Sequence, residues 1–599
     1  MGLFRYMQKH ADVPPPQVVS PAAPVPAQSP TPVPAQVPAQ SPTGVPTLRP
    51  SFNPLPHQIS AVQKLIENKG RIVLAHGMGS GKTASSIFGF EKMRQLGKAH
   101  KAIVIVPAGL RENFARDGVE KFTTSNKQIV GAGGEGADYV NPDAVSPDKT
   151  YTIMSYEMFR RDPVGFMKRT GADTMICDEF HKTRNDQAQI YHALEAGRPY
   201  ATNFIGITGS LINNAPEEVA KLLNLSEGGA PESPQEFRRR FTQTIGVAQG
   251  FAGGKQKIIG IKDPAGFAMD VVPKIDYFET KDIPGASMPK KVVRNEMIPM
   301  SAEQYHLYEL ALNKLGPVKE YITRRDPNIA VKDADKLFGQ IMQARQISNS
   351  VAMGRHDVSV AQSAERTPKV RAAIQAAVQH LQEHPDNNVV LYSNLIHGGV
   401  DVLDAGLTHA GIPHALFIGA GTELGDGGTV TNVSRAQGVS DFKAGKKRVI
   451  VLSGAGAEGL DLKNATAFYA LDGHFNPERI MQAEARAVRL GGQAQRPPEQ
   501  RLVDVRRYQS VVPKSQQPGF FGKLVGRTAP QTTDEWMYNV AGRKFNTSRQ
   551  FYDVLHTPTK YIRKEPDGRG GIRYVYAAKP KGLFGRLFGG GDDSPNISA

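Results

Sequence analysis

Gly79, Ser80, Gly81, Lys82 and Thr83 close the stretch Leu74-Ala75-His76-Gly77-Met78-Gly79-Ser80-Gly81-Lys82-Thr83. Glycines so spaced let backbone N–H groups converge on a phosphate, and a helix opening at Thr83 adds its positive end. Lys82 would reach the β- and γ-phosphates of a nucleotide, and Thr83 would hold Mg²⁺. The strict spacing asks for glycine at position 76, where this chain has His76, so a glycine-rich strand–helix turn is the plain alternative. A second group, Asp178 and Glu179, ends the apolar run Thr174-Met175-Ile176-Cys177. Asp178 offers a carboxylate to Mg²⁺, and Glu179 a base that polarises water. The third group is Gln482, Arg486 and Arg489. On a helix the two arginines share a face, with Gln482 one turn earlier. Arginines brought to a γ-phosphate from a second lobe contribute roughly 10³–10⁵ in rate and make hydrolysis depend on closure.

These groups need elements to position them. Arg71–Ala75 reads as a buried strand before the glycine loop, and Thr83 to Leu96 as the helix after it. Short apolar strands alternate with helical patterns at Ile72–Ala75, Ala102–Val106, Thr152–Ser155, Thr174–Cys177 and Phe204–Thr208. The rhythm returns at Val389–Ser393, Ala415–Ile418, Arg448–Leu452, Ala467–Leu471 and Leu502–Val505. Alternation of this kind predicts parallel sheets covered by helices, hence two α/β lobes, at 51–225 and 378–530. Between them, 226–377 reads as an irregular region with helices at Ser301–Leu315 and Asp333–Ser348. A closing helix is expected over 531–556. Residues 557–599 read as a basic hairpin with a flexible tail. The first fifty residues, rich in Pro, Ala, Val, Gln and Ser, read as a disordered or semi-rigid tether.

The formal charge of +16 suits a phosphate-rich partner. A single cysteine, Cys177, excludes an intrachain disulfide framework and a multi-cysteine zinc site. No run approaches the roughly 18 apolar residues of a membrane span. Met1-Gly2 opens a myristoylation-like start, but Tyr6 stands at its Ser/Thr position. The expectation is a soluble, intracellular chain without membrane contact.

The box Asp178-Glu179-Phe180-His181, with the loop before it, resembles the superfamily-two helicases and translocases, and most closely their Swi/Snf-like group. That group's loop reads Asp-Glu-Met-Gly-x-Gly-Lys-Thr, against His76-Gly77-Met78-Gly79-Ser80-Gly81-Lys82-Thr83 here. Leu55-Pro56-His57-Gln58 resembles the glutamine motif, making Gln58 the implied adenine reader. Ile105–Phe114 resembles a motif associated with nucleic-acid contact, and Ser155-Tyr156-Glu157-Met158 a Thr-Tyr-Glu-x segment. Thr208-Gly209-Ser210-Leu211-Ile212-Asn213-Asn214 resembles the coupling motif Thr-Gly-Thr-Pro-x-x-Asn-Asn, with Ser-Leu for Thr-Pro. His181, Thr208, Gly209, Ser210 and Gln482 are thereby implied in coupling.

In the second lobe, Val389–Asn394 resembles the opening strand. Ser453–Leu462 resembles the glycine-rich motif, implying that Gly459 and Asp461 touch nucleotide; Asp461 replaces the usual Asn. Asp472-Gly473-His474-Phe475-Asn476-Pro477 resembles Asp-x-x-Trp-Asn-Pro, and Gln482–Gly491 the arginine-finger motif. Thr533–Met537 resembles the closing helix. The resemblance runs from about Leu48 to Lys544. It implies two RecA-like lobes, ATP and Mg²⁺ between them, and movement on double-stranded DNA. Two readings stand beside it: a helicase that separates DNA or RNA strands, and a non-catalytic nucleic-acid-binding assembly protein. The proline-rich arm or the C-terminal tail would serve a protein partner. The tail's Lys-Tyr and Arg-Tyr segments resemble those of phage-encoded proteins, which would put the chain in a host cytoplasm. The hairpin cations Lys560, Arg563, Lys564, Arg569 and Arg573 are either a nucleic-acid contact or a solvated face, and His76 is expected in the turn.

Overall fold

The computed structural model describes residues 47–131, 138–185, 187–228, 232–246, 256–283, 288–323, 334–419, 421–425, 427–454, 462, 464–488, 492–519, 529–568 and 571–577. The arm read as a tether lies almost wholly outside them.

The first lobe is built on β1 (Arg71–His76), β2 (Ala102–Val106), β3 (Lys127–Val130), β4 (Tyr139–Val140), β5 (Tyr151–Ser155), β6 (Thr174–Cys177) and β7 (Asn203–Thr208). After an antiparallel hairpin, β8 (Thr242–Gly246) and β9 (Gln256–Ile261), the chain returns as β10 (Ile275–Phe278). The eight-stranded order is β10-β1-β7-β6-β2-β5-β3-β4, parallel throughout. Strands covered on both faces read as unbroken apolar runs, and β2 is buried along its length. Successive side chains enter opposite cores: Val73, Ile103 and Ile105 pack on one face, Ile72, Leu74 and Val104 on the other.

The second lobe contains β11 (Lys290–Pro299), β12 (Asn388–Ser393), β13 (His414–Phe417), the short pair β14 (Thr422–Glu423) and β15 (Thr429–Val430), β16 (Val449–Ser453), β17 (Ala465–Ala470) and β18 (Leu502–Val511). Its six-stranded sheet runs β11-β18-β17-β12-β16-β13, again parallel.

All ten strands read from the sequence are present, nine within two residues of their expected ends and β18 running on to Val511. The region 226–377 differs from its reading as an irregular segment between lobes. It supplies β10 to the edge of the first sheet and β11 to the edge of the second. Edge position explains why both escaped notice: β11 is exposed or half-buried throughout, so it carries no clean alternation.

The helix Thr533–His556 joins the lobes. It opens on a capping box, where Glu535 N donates to Thr532 Oγ1 at 3.3 Å and Thr532 N to Glu535 Oε2 at 2.9 Å. Trp536 and Met537 pack with Tyr308 and Ile347 beside the second lobe. Nearly four turns further on, at about 3.6 residues per turn, Phe551, Val554 and Leu555 enter the first-lobe core. An antiparallel hairpin, β19 (Ile562–Pro566) and β20 (Ile572–Tyr576), then packs on the first lobe through Ile562.

Candidate nucleotide site

Strands β1, β7 and β6 are neighbours, so the loops that leave their carboxyl ends converge. They carry Gly77–Thr83, Thr208–Ser210 and Asp178–His181. In the first, Gly79 and Gly81 adopt φ of 80° and 82°, conformations that glycine allows at little cost. The helix Lys82–Gln95 starts directly after them. Lys82 Nζ folds back to Gly77 O at 3.3 Å, across the mouth of the loop. Ser80 Oγ is buried with no protein partner, an orphan that a bound phosphate oxygen would satisfy. Thr83 stands on the first turn of the helix. Gln58 Nε2 donates to Gly81 O at 3.4 Å while its Oε1 accepts from Leu55 N at 2.9 Å. His76 corrects the expectation of a turn residue: it is the last residue of β1, fully buried, with Nε2 at 2.7 Å from Asp276 Oδ2 on β10.

Asp178 follows β6, its N–H donating to Ile105 O at 2.8 Å and its Oδ1 accepting from Glu179 N at 2.9 Å. Burial, then the charge of Glu179, pushes the Asp178 carboxyl up; Lys82 and Lys182 oppose them. For Glu179 burial acts upward too, but His181, Lys82 and Arg486 outweigh it and hold that carboxyl down. The pair therefore divides into one carboxyl that resists ionisation and one that stays ionised. Glu179 sits at φ 48°, ψ 45°, a left-handed conformation that costs a non-glycine residue on the order of 1 kcal/mol. His181 Nδ1 lies 3.2 Å from Glu179 Oε2 and 3.3 Å from Thr208 Oγ1. Thr208 Oγ1 donates to Ser210 O at 2.7 Å and accepts from Ser210 N at 3.1 Å. His181, Thr208 and Ser210 thus form one connected path from Glu179, and Gly209 lies between them.

From the second lobe comes the helix Pro477–Ala487, its N-terminus capped by Asn476 Oδ1 accepting from Glu478 N at 3.0 Å. Gln482 and Arg486 are on it, and the Arg486 charge helps keep Glu179 ionised from across the cleft. The helix ends at Ala487, with Val488 at its C-cap. Arg489, Gly459 and Asp461 lie outside the described residues.

The chain matches the SNF2-related domain over residues 57–353 and the helicase conserved C-terminal domain over residues 369–491. It belongs to the SNF2-related helicase-like ATPases. Among its relatives is an Acanthamoeba polyphaga mimivirus protein named as an ATP-dependent RNA helicase, 22% identical over 76% of this chain and 89% of that protein. The ATP-dependent helicase YqhH of Bacillus subtilis is 23% identical over 74% of each chain. The mouse DNA repair and recombination protein RAD54-like is 26% identical over 44% of this chain, which spans 38% of that longer relative. The Sulfolobus solfataricus SWI2/SNF2 ATPase core in complex with dsDNA aligns over 84% of this chain and 95% of its own, at 17% identity and a TM-score of 0.34.

In this SNF2-related ATP hydrolase several contacts around the cleft carry no sequence signal. The Ser210 hydroxyl helps hold the buried Glu478 carboxyl down, and its Oγ accepts from Arg184 Nη2 at 2.7 Å. Tyr552, on the helix that joins the lobes, accepts from Leu211 N at 2.9 Å and Ile212 N at 3.0 Å. His57 donates through Nε2 to Ser80 O at 2.9 Å, and its place beside Gln58 was the one hint available. Three of the hairpin cations have acidic partners: Lys564 with Glu67 at 2.7 Å, and Arg563 and Arg573 with Glu565 at 2.9 and 3.4 Å. Arg569 lies outside the described residues. Among the described residues no helix is long and apolar enough to cross a membrane.

Proposed function

We propose that this SNF2-related ATPase couples ATP hydrolysis between its lobes to movement along double-stranded DNA. One observation carries the reading: a single second-lobe helix holds both Arg486, whose charge acts on Glu179, and Glu478, whose buried carboxyl is acted on by Arg184 and Ser210 of the first lobe. Chemistry and lobe position are then joined through one rigid element. Lys82 binds the β- and γ-phosphates, and the N–H groups of the loop orient them. Thr83 and Asp178 hold Mg²⁺, which neutralises phosphate charge. Glu179 Oε2 takes the proton of the attacking water, and Arg486 meets charge that develops on the γ-phosphate only when the cleft is closed. Arg489, Gly459 and Asp461 are assigned nucleotide contacts, and Gln58 the adenine. His181, Thr208, Ser210 and Gln482 pass the nucleotide state to the duplex. The +16 charge supports a polyanionic track, to which affinity would fall steeply with salt.

The test is steady-state ATP hydrolysis by the wild type and Lys82→Ala, without polymer and with single-stranded DNA, duplex DNA or RNA. Stimulation by duplex DNA, lost in Lys82→Ala, supports the translocase and leads to triplex displacement. Stimulation by single strands or RNA alone favours strand separation. Folded protein that binds nucleic acid but hydrolyses nothing would favour an assembly protein.

A further inference from the structure

The segment that leaves β10 for the second lobe is fastened to the phosphate loop. Gly77 N donates to Phe278 O at 2.7 Å, and Thr280 Oγ1 donates to Met78 O at 2.7 Å. The contact is close: a Cβ at Gly77 would lie 2.6 Å from Thr280 Oγ1 and 2.9 Å from Thr280 N. The His57 ring lies flat on Phe278, centroids 4.1 Å apart and planes 6° apart, and reaches Ser80 O from there. Beneath them His76 meets Asp276, which Lys64 also holds at 3.1 Å.

The peptide plane turns these clamps into control of the loop. In a trans peptide the C=O and the next N–H point to opposite sides. Thr280 holding Met78 O therefore turns the Gly79 N–H away from the clamp. His57 on Ser80 O does the same for Gly81 N–H, and Gln58 on Gly81 O for Lys82 N–H. These N–H groups are the donors a phosphate would use.

The clamping segment also belongs to the lobe connection. It continues into β11 in the second sheet, and Asp282 accepts from His556 Nε2 at 2.8 Å, at the end of the helix that spans both lobes. We propose that Thr280 is a positioning residue for nucleotide binding, through which the interlobe connection sets the aim of the phosphate-loop N–H groups. Nucleotide affinity then answers to the position of the second lobe even before the arginine helix arrives.

The inference rests on residues 77–83 being the nucleotide loop. Failure of that reading would appear as no nucleotide affinity in the wild type, whereas failure of this one leaves wild-type binding intact. The experiment titrates the full chain, without DNA, with a fluorescent ADP analogue and follows thermal unfolding in parallel. Thr280→Val keeps the shape and removes the donor; it is expected to weaken binding about threefold to tenfold, the worth of one hydrogen bond. Thr280→Ser restores the donor and is expected to bind within twofold of wild type. Thr280→Ala replaces the valine variant if the extra methyl crowds Gly77 and the protein does not fold. At saturating ATP the loss is expected in KM rather than kcat. The link to the second lobe is read from His556→Ala, which is expected to weaken binding in the wild type but not in Thr280→Val. Wild-type affinity in a folded Thr280→Val would overturn the positioning role. Equal effects of His556→Ala in both backgrounds would overturn the link.

Discussion

The Ser210 hydroxyl, just beyond β7 in the first lobe, and Arg184 both act on the buried carboxyl of Glu478, on the first turn of the Arg486 helix in the second lobe. Arg184 grips Ser210 from the other side and also approaches Glu218, whose carboxylate accepts from Asn213 N at 2.6 Å and Asn214 N at 3.0 Å. The segment that follows β7 is thus read on one side by the acid loop, through His181, and on the other by the arginine helix.

Glu478 makes this junction sensitive to pH. Burial pushes its carboxyl up to about 7, Arg184 and the Ser210 hydroxyl opposing and Glu218 assisting. In the unfolded chain it ionises near the ordinary value of 4.5. The folded protein therefore holds a proton between those values that the unfolded chain has released. The resulting stability is complete below pH 4.5 and is lost as the pH rises through about 7. Tyr552 and Tyr277 also face this carboxyl and stay neutral in the window. Denaturant unfolding of wild type and Glu478→Gln at a series of pH values should show the wild type losing stability relative to the variant as the pH rises across that range. A pH-independent difference would refute the assignment.

Arg486→Ala should separate binding from chemistry. The loop, Lys82 and Gln58 remain, so nucleotide affinity is expected within a few-fold of wild type. Hydrolysis should fall by about 10³-fold or more, as for a removed arginine finger. Single-turnover hydrolysis beside a nucleotide titration decides it; a fall in affinity with unchanged single-turnover rate would place Arg486 in binding alone.

Both loops of the candidate site were legible because each is a contiguous run whose residues meet by local geometry: a strand, a turn, then the groups. Most of the ten strands were legible because both their faces are buried; β13, half-buried at a sheet edge, was read from its short apolar run. What was not legible depends on pairs far apart in the chain. Asp276 cannot be recognised as the partner of His76 until β10 lies beside β1. Ile275-Asp276-Tyr277-Phe278 carries too short an apolar pattern to announce a strand. Tyr552 lies on a helix whose first turns belong to one lobe and last turns to the other, so its face is amphipathic toward two different cores.

Tyr552→Phe should expose the cost of that long-range tie. Its hydroxyl is the acceptor for two backbone N–H groups on buried residues, Leu211 and Ile212. Phenylalanine keeps the stack on Tyr277, whose ring centroid is 5.4 Å away, and removes the acceptor. A buried donor left unmatched costs about 1–3 kcal/mol. Urea unfolding should therefore show a loss of that size, with polymer-stimulated hydrolysis falling further than the basal rate because Leu211 and Ile212 adjoin Ser210. Wild-type stability and stimulation would remove the tie from the coupling path.

Lys369 and Asp534 fasten the other end of the same helix. Their ammonium and carboxylate meet with side chains 0% and 3% exposed, and Asp534 Oδ2 also accepts from Ser510 N at 2.8 Å on β18. Removing one partner of a buried pair leaves an uncompensated charge and costs about 3–5 kcal/mol, whereas replacing both with apolar groups of similar size is often neutral. Lys369→Met is therefore expected to destabilise by about that amount. Lys369→Met combined with Asp534→Leu should recover part of the loss, less what Ser510 N gives up on losing its acceptor. Because the N-terminal turns of the helix sit on the second lobe and Phe551 sits in the first, unfolding of the single variant should begin at the second-lobe end. Hydrogen exchange would read this as lost protection around Trp536 and Met537 while the amides around Phe551 keep theirs. Uniform loss along the helix would mean that the pair stabilises the fold as a whole and does not anchor one end of the tie between lobes.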